Sequence, residues 1–167
     1  MTDSTISPDP VAAAAAAIAP PPAAPAMPAN LAELARRTPG VVPGARWFWW
    51  IAGLSLVNLV CALSHANFSF VMGLAFTQIA HAVFRDNLAV AFLVDALFIG
   101  GFFVLGRQAQ RGQPWAFAVG ICVYLCDALI YLKYTDLMPV AFHALALFYL
   151  VKAAVNLRVG QKLTGLR

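Results

Sequence analysis

The sequence predicts an all-α membrane protein: a four-transmembrane-helix bundle with an additional amphipathic or re-entrant helix at about 68–84. Three observations carry that fold class. Hydrophobic residues make up 62% of the 167 and charged residues only 11%, where soluble domains carry about 25% charged residues. The apolar residues gather in runs of about 17–20, the length that crosses a hydrocarbon core of about 30 Å at 1.5 Å per helical residue. The basic residues sit between and beyond those runs, as topology determinants do.

The spans read as about 46–63, 88–106, 115–132 and 138–157, preceded by a Pro/Ala-rich disordered tail over 1–45 and followed by a basic tail over 159–167. The N-terminal tail holds the run Ala12–Ala17, the cluster Pro20-Pro21-Pro22, and later prolines at 39 and 43. Proline breaks helices and nothing here supplies a periodic apolar face. One short helix over Asn30–Arg37, with Asn30 as N-cap, is compatible with the pattern but too short to stand alone. The tail lacks the charged-then-apolar order of a secretory signal.

The first span opens on Trp47, Phe48, Trp49 and Trp50 directly after Arg46, an interfacial anchor. Asn58 is its strongly polar interior residue, the type that hydrogen-bonds between membrane helices. In the next segment Thr77, Gln78, His81 and Arg85 fall on one helical stripe, opposite Phe70, Val71, Leu74, Ala75 and Ile79. Such a helix spans, re-enters, or lies in the interface. Charge placement favours a non-spanning helix. With four spans, Arg36, Arg37, Arg46, Arg107, Arg111, Arg158, Lys162 and Arg167 share one side, while Arg85 and Lys133 stand on the other beside Asp86 and Asp136. The positive-inside rule then puts both termini in the cytoplasm.

In the second span Ala96 and Gly100 form a small-xxx-small pair, with Gly101 as a further close-approach point. Ala118, Cys122 and Cys126 form a similar stripe on the third. Pro114 and Pro139 fall at helix starts, where a missing N–H costs nothing. Lys152 lies where its side chain can snorkel to the headgroups.

The spans also carry acids. Asp127 and His143 are equally far in sequence from Thr135, the middle of the third turn, so an antiparallel hairpin sets them at one depth. Asn58 and Asp95 count to a similar level, about 7–12 Å from the outer ends of their helices. A carboxylate in lipid costs about 2.5–3.5 kcal/mol on insertion scales, so these groups should face inward, pair, or be protonated. The expected intramembrane network is Asn58, Asp95, Tyr124, Asp127, Tyr131 and His143, with Asp127 accepting from His143 or a tyrosine and Asp95 reaching the same network.

No catalytic motif accompanies these residues. The cysteines, Cys61, Cys122 and Cys126, form no CxxC pair, and HExxH is absent, so neither a metal nor a cofactor is indicated. A haem- or quinone-associated redox subunit is a weaker reading, with a haem site on His65, His81 and His143, because haem ligation wants two histidines facing each other at matched depth. The net charge of +4 is dispersed rather than gathered into a nucleic-acid-binding patch. The partner is the lipid bilayer, with a homo-oligomer or a larger membrane complex as the setting.

The stretches Trp49–Asn58, Trp115–Gly120, Tyr124–Ile130 and Val140–Ala144 resemble those of small bacterial four-span integral membrane proteins. The resemblance covers about residues 47–155 and implies a bacterial inner-membrane location, with no assigned activity or site. Intramembrane aspartyl proteases also place two aspartates on neighbouring helices, but their Gly-x-Gly-Asp motif is missing: Asp95 follows Phe92-Leu93-Val94. The leading expectation is a non-enzymatic membrane protein, a structural or accessory subunit. The alternative is a small proton- or ion-coupled transporter or channel using Asp95, Asp127 and His143.

Overall fold

A computed structural model describes residues 26–64, 74–133 and 137–166. All its regular structure is helical: α1 (Leu31–Arg37), α2 (Val41–Ala45), α3 (Trp47–Leu63), α4 (Ala75–Val83), α5 (Leu88–Gln110), α6 (Pro114–Lys133) and α7 (Leu137–Thr164). Three of these, α5, α6 and α7, are long and apolar enough to cross a membrane. Helix α3 is shorter: its 17 residues span about 26 Å at 1.5 Å per residue. Many large apolar side chains point away from the protein, Leu93, Leu97, Leu129 and Phe148 among them. A soluble bundle would bury such residues; here they form the outer wall.

Helix α3 packs on α5 and α6 on α7, with α5 and α6 joining the two pairs. Phe48 is the centre of the packing. It is fully buried, its ring lies 6.0 Å from Phe102 and 5.9 Å from Phe117, and it enters a notch left by glycine. A Cβ on Gly120 would stand 2.5 Å from Cζ of Phe48 and nearer still to Cε1. Gly106 likewise admits the Trp49 indole, 2.5 Å from where its Cβ would be. The close-approach points expected at Ala96, Gly100 and Gly101 are not used in this way. All three face outward, and no neighbouring atom lies within 4 Å of a Cβ built on either glycine. Ala118, Cys122 and Cys126 are exposed too.

The boundaries differ from expectation at both ends. The chain from Leu31 to Ala45 is not a disordered tail: Leu34, Ala35, Val41 and Ala45 are buried, and α1 and α2 pack on α7. Asn30 caps α1, its Oδ1 accepting from Glu33 N at 2.9 Å. Pro43 falls in the first turn of α2, where its missing N–H has no helical partner to lose. Residues 1–25 of the expected tail lie outside the described residues. At the other end the expected basic tail is largely helix. Nothing between Arg158 and Thr164 breaks α7, and Lys162 in its last turn favours the helix dipole. The helix ends before Gly165, which has φ +70°. Helix α5 also runs past its expected end to a Schellman cap, with Gly112 at φ +77° and Gln113 N donating to Gln108 O at 3.1 Å.

The helix expected at about 68–84 is the nine-residue α4, with 65–73 outside the described residues. Its contacts place it deep. Leu74 N donates to Ser55 Oγ, eight residues before the end of α3, about 12 Å inside the bundle. It then runs antiparallel to α5, with Phe76 stacked on Phe98 at 4.9 Å and His81 edge-on to Phe92 at 5.3 Å. It is a half-length helix wedged against α5 and α6, antiparallel to the former. Its stripe is turned inside out relative to a helix on a soluble core: Ile79 and Val83 face outward, and Thr77, Gln78 and His81 face the bundle.

Candidate functional site

The centre of the polar cluster is Asp127, fully buried on α6. It stands six residues before Lys133, about 9 Å below that end of the helix. Its carboxylate accepts three hydrogen bonds: from Ala75 N at 3.0 Å, from Phe76 N at 2.9 Å and from His143 Nε2 at 2.9 Å. The first turn of a helix has N–H groups with no helical partner and the positive end of the dipole. Leu74, at the N-cap position of α4, offers no side-chain cap. Asp127 supplies one from a different helix. Thr77 Oγ1 completes the turn by donating to Leu74 O at 2.7 Å.

His143 is also fully buried, and both ring nitrogens are engaged. Nδ1 lies 2.7 Å from Pro139 O, a group that only accepts, so Nδ1 carries a proton and donates it. Nε2 and Asp127 Oδ2 must then share one further proton. Two backbone N–H groups and a helix N-terminus surround the same carboxylate, so the pair is held by hydrogen bonds from three helices. The Tyr124 ring stacks on that imidazole with centroids 4.4 Å apart. Tyr131 flanks it at 5.3 Å.

A second acid–imidazole pair lies one turn nearer the Lys133 end. The Phe102–Tyr124 ring contact sets the register of antiparallel α5 and α6; seven residues back along α5 and seven on along α6, Asp95 comes level with Tyr131. Asp95 is fully buried and its Oδ2 lies 2.7 Å from His81 Nε2, while the His81 side chain is 29% exposed. Beside them Gln78 Nε2 donates to Tyr131 Oη at 3.0 Å. Two side chains of α4, Gln78 and His81, thus meet the bundle's polar groups at this level.

No protein-family model matches the chain, and neither a curated protein nor a solved structure matches it. The geometry therefore has to carry the reading.

Several expected members of the network stand elsewhere than the sequence placed them. Asp95 does not reach Asp127; it is held by His81, because α4 turns back along α5 and brings the imidazole over the carboxylate. Asn58 is level with Asp95: the bond from Trp49 Nε1 to Phe103 O fixes the register, and nine residues along each helix bring Asn58 opposite Val94. Its Oδ1 is nevertheless buried without a hydrogen-bond partner among the described residues, as are Asp95 Oδ1 and Tyr124 Oη. Tyr124 therefore joins through its ring alone. Arg85 lies beyond the end of α4, exposed, and takes no part in the polar face. His65 of the haem reading is outside the described residues, and His143 has no nitrogen free for an iron. Among the described residues no three His, Cys, Asp or Glu side chains gather as a metal site requires.

Sequence reasoning missed Ser55 and the backbone donors of α4. Ser55 is buried, donates to Ile51 O at 2.9 Å and accepts from Leu74 N at 3.3 Å. A serine bonding back into its own helix resembles any other in sequence, and every residue has an N–H.

Proposed function

We propose that this chain is a non-enzymatic inner-membrane protein of four spans, α3 serving as the first, with both termini cytoplasmic, and that it acts as a structural or accessory subunit. The polar layer's work is to seat α4 as a half-membrane helix. The observation that carries this reading is the saturation of Asp127: both carboxylate oxygens are taken up by the start of α4 and by His143, leaving neither to bind or release a passing ion. The basic residues at the end that holds the termini, together with the resemblance to small four-span bacterial proteins, support the membrane and orientation.

A proton- or ion-coupled transporter is the second reading, and Asp95 favours it. One oxygen of this buried acid has no partner among the described residues, and the other meets a partly exposed histidine. Reconstitution into liposomes with a pH-sensitive dye separates the two. The structural reading expects proton flux equal to that of protein-free vesicles for wild type, Asp95→Asn and Asp127→Asn, with Asp127→Asn clearly less heat-stable. Flux above background that Asp95→Asn removes without loss of thermal stability would establish the transporter instead. For topology, a cysteine introduced at Gln113 is expected to be protected from an impermeant outside reagent; labelling there would overturn the four-span arrangement.

A further inference from the structure

Helices α6 and α7 leave a cleft between them at the end of the bundle where α6 starts and α7 ends. Its lower part, about 180 Å³, is lined by apolar side chains, among them Ala118, Ile121, Val151 and Ala154. Its upper part, about 490 Å³, is lined by Arg158, Gln161 and Lys162 together with Leu166. Pro114 and Arg158 border both parts, so the two are continuous. The small side chains of Ala118 and Ala154 create the lower space. Here the outward-facing Ala118 of α6 has a use.

The depth is that of a lipid headgroup. The Asp127–His143 bond fixes the register of the α6–α7 hairpin, and thirteen residues away from it Pro114 comes level with Asn156. Arg158 and Lys162 therefore lie at and just beyond the start of α6, alongside the half-exposed Trp115, which marks the interface. The apolar part of the cleft descends from there toward the bilayer interior.

The charge is uncompensated. Neither Arg158 nor Lys162 makes an ion pair among the described residues. Of the described acids only Glu33 is at this end, and it is engaged by Arg37. Gln161 adds a donor: its Nε2 is buried and has no hydrogen-bond partner among the described residues. Helix α6 starts here with no acidic residue in its first turn, so the positive end of its dipole opens on the same cleft. By contrast, the shallow hollow at Arg46, Trp49 and Trp50 has one cation and no orphan donor.

We propose that this cleft binds one anionic glycerophospholipid. Its phosphate lies against Arg158 and Lys162 and accepts from the Gln161 amide, and one acyl chain lies along Ala118, Ile121, Val151 and Ala154. The site requires the chain to sit in a bilayer, but it is independent of the polar layer around Asp127.

The test is native mass spectrometry of the full chain in neutral detergent, titrated with phosphatidylglycerol and, separately, phosphatidylcholine. One phosphatidylglycerol is expected to remain bound at concentrations where phosphatidylcholine is lost. At about 1 kcal/mol per basic residue near a membrane surface, R158Q with K162Q is expected to weaken it about thirtyfold. The charge-matched pair R107Q with R111Q is expected to leave it unchanged. A118F, which fills the apolar part without altering charge, is expected to abolish it, and tryptophan-monitored melting identifies any variant that fails to fold. If A118F does not fold, the two charge pairs decide. Equal losses from both pairs, equal retention of the two lipids, or displacement by inorganic phosphate would each overturn the site, the last by reducing it to a simple anion site.

Discussion

The Asp127 carboxylate lies 2.9 Å from His143 Nε2 in a place where neither side chain has any exposure. The two residues come from the opposing helices of a hairpin, and the acid simultaneously holds the first two N–H groups of a third helix. One carboxylate therefore couples α6, α7 and α4.

Removing either partner should leave a buried group of the other uncompensated. Asp127→Leu and His143→Phe are each expected to destabilise the protein by about 3–5 kcal/mol, the usual effect of breaking a buried pair. Asp127→Leu should be the worse of the two, because it also orphans Ala75 N and Phe76 N. The double variant is expected to cost less than the sum, with a coupling of about 1–3 kcal/mol. Reversible unfolding in mixed micelles, followed by tryptophan fluorescence, measures the cycle. Strict additivity would mean that the contact carries no energy of its own.

The sequence makes some of this arrangement legible, and particular residues explain why. Asp127 and His143 could be matched by counting outward from Thr135, because a tight antiparallel hairpin converts sequence distance into depth. The partner of Asp95 could not be found in that way. His81 reaches it only because α4 is short and doubles back along α5, and the periodicity over 68–84 that predicts an amphipathic or re-entrant helix does not say which span that helix lies against. Small residues were a weaker guide. Gly100 and Gly120 look alike in sequence, yet one faces outward and the other receives Phe48. Size permits close approach but does not say which face the neighbour occupies. Before Arg46, α1 with its Asn30 cap was legible, whereas α2 was hidden by Pro43, which falls in a first turn and breaks nothing.

The Phe48–Gly120 contact leads to a prediction of its own. A methyl group on Gly120 has no room, because the Phe48 ring is itself wedged between Phe102 and Phe117. Gly120→Ala is expected to destabilise by about 1–3 kcal/mol through overpacking, against the small gain alanine brings to a helix interior. Phe48→Leu should cost stability alone yet recover part of the loss when combined with Gly120→Ala. Thermal melts of the three variants decide it. A neutral or stabilising Gly120→Ala would show that α3 and α6 are farther apart than described.

The N-terminal helix should respond to acid. The Glu33 carboxyl is held below the ordinary value of 4.5, first by the N–H of Ala29, which donates to it, and further by the guanidinium groups of Arg37 and Arg36. A carboxyl with a lowered folded-state value binds its proton less readily folded than unfolded, so its contribution is present above 4.5 and lost as the pH falls below it. Its loss would release the Ala29 contact and the Glu33–Arg37 pair together, loosening α1 from α7 while leaving the spans intact. Hydrogen exchange over 31–37, corrected for intrinsic rates, is expected to quicken between about pH 6 and about pH 3.5. Glu33→Gln should exchange faster at the upper pH and lose most of that dependence. If wild type and Glu33→Gln change in parallel with pH, then α1 is held by Leu34 and Ala35 against α7 rather than by this carboxylate.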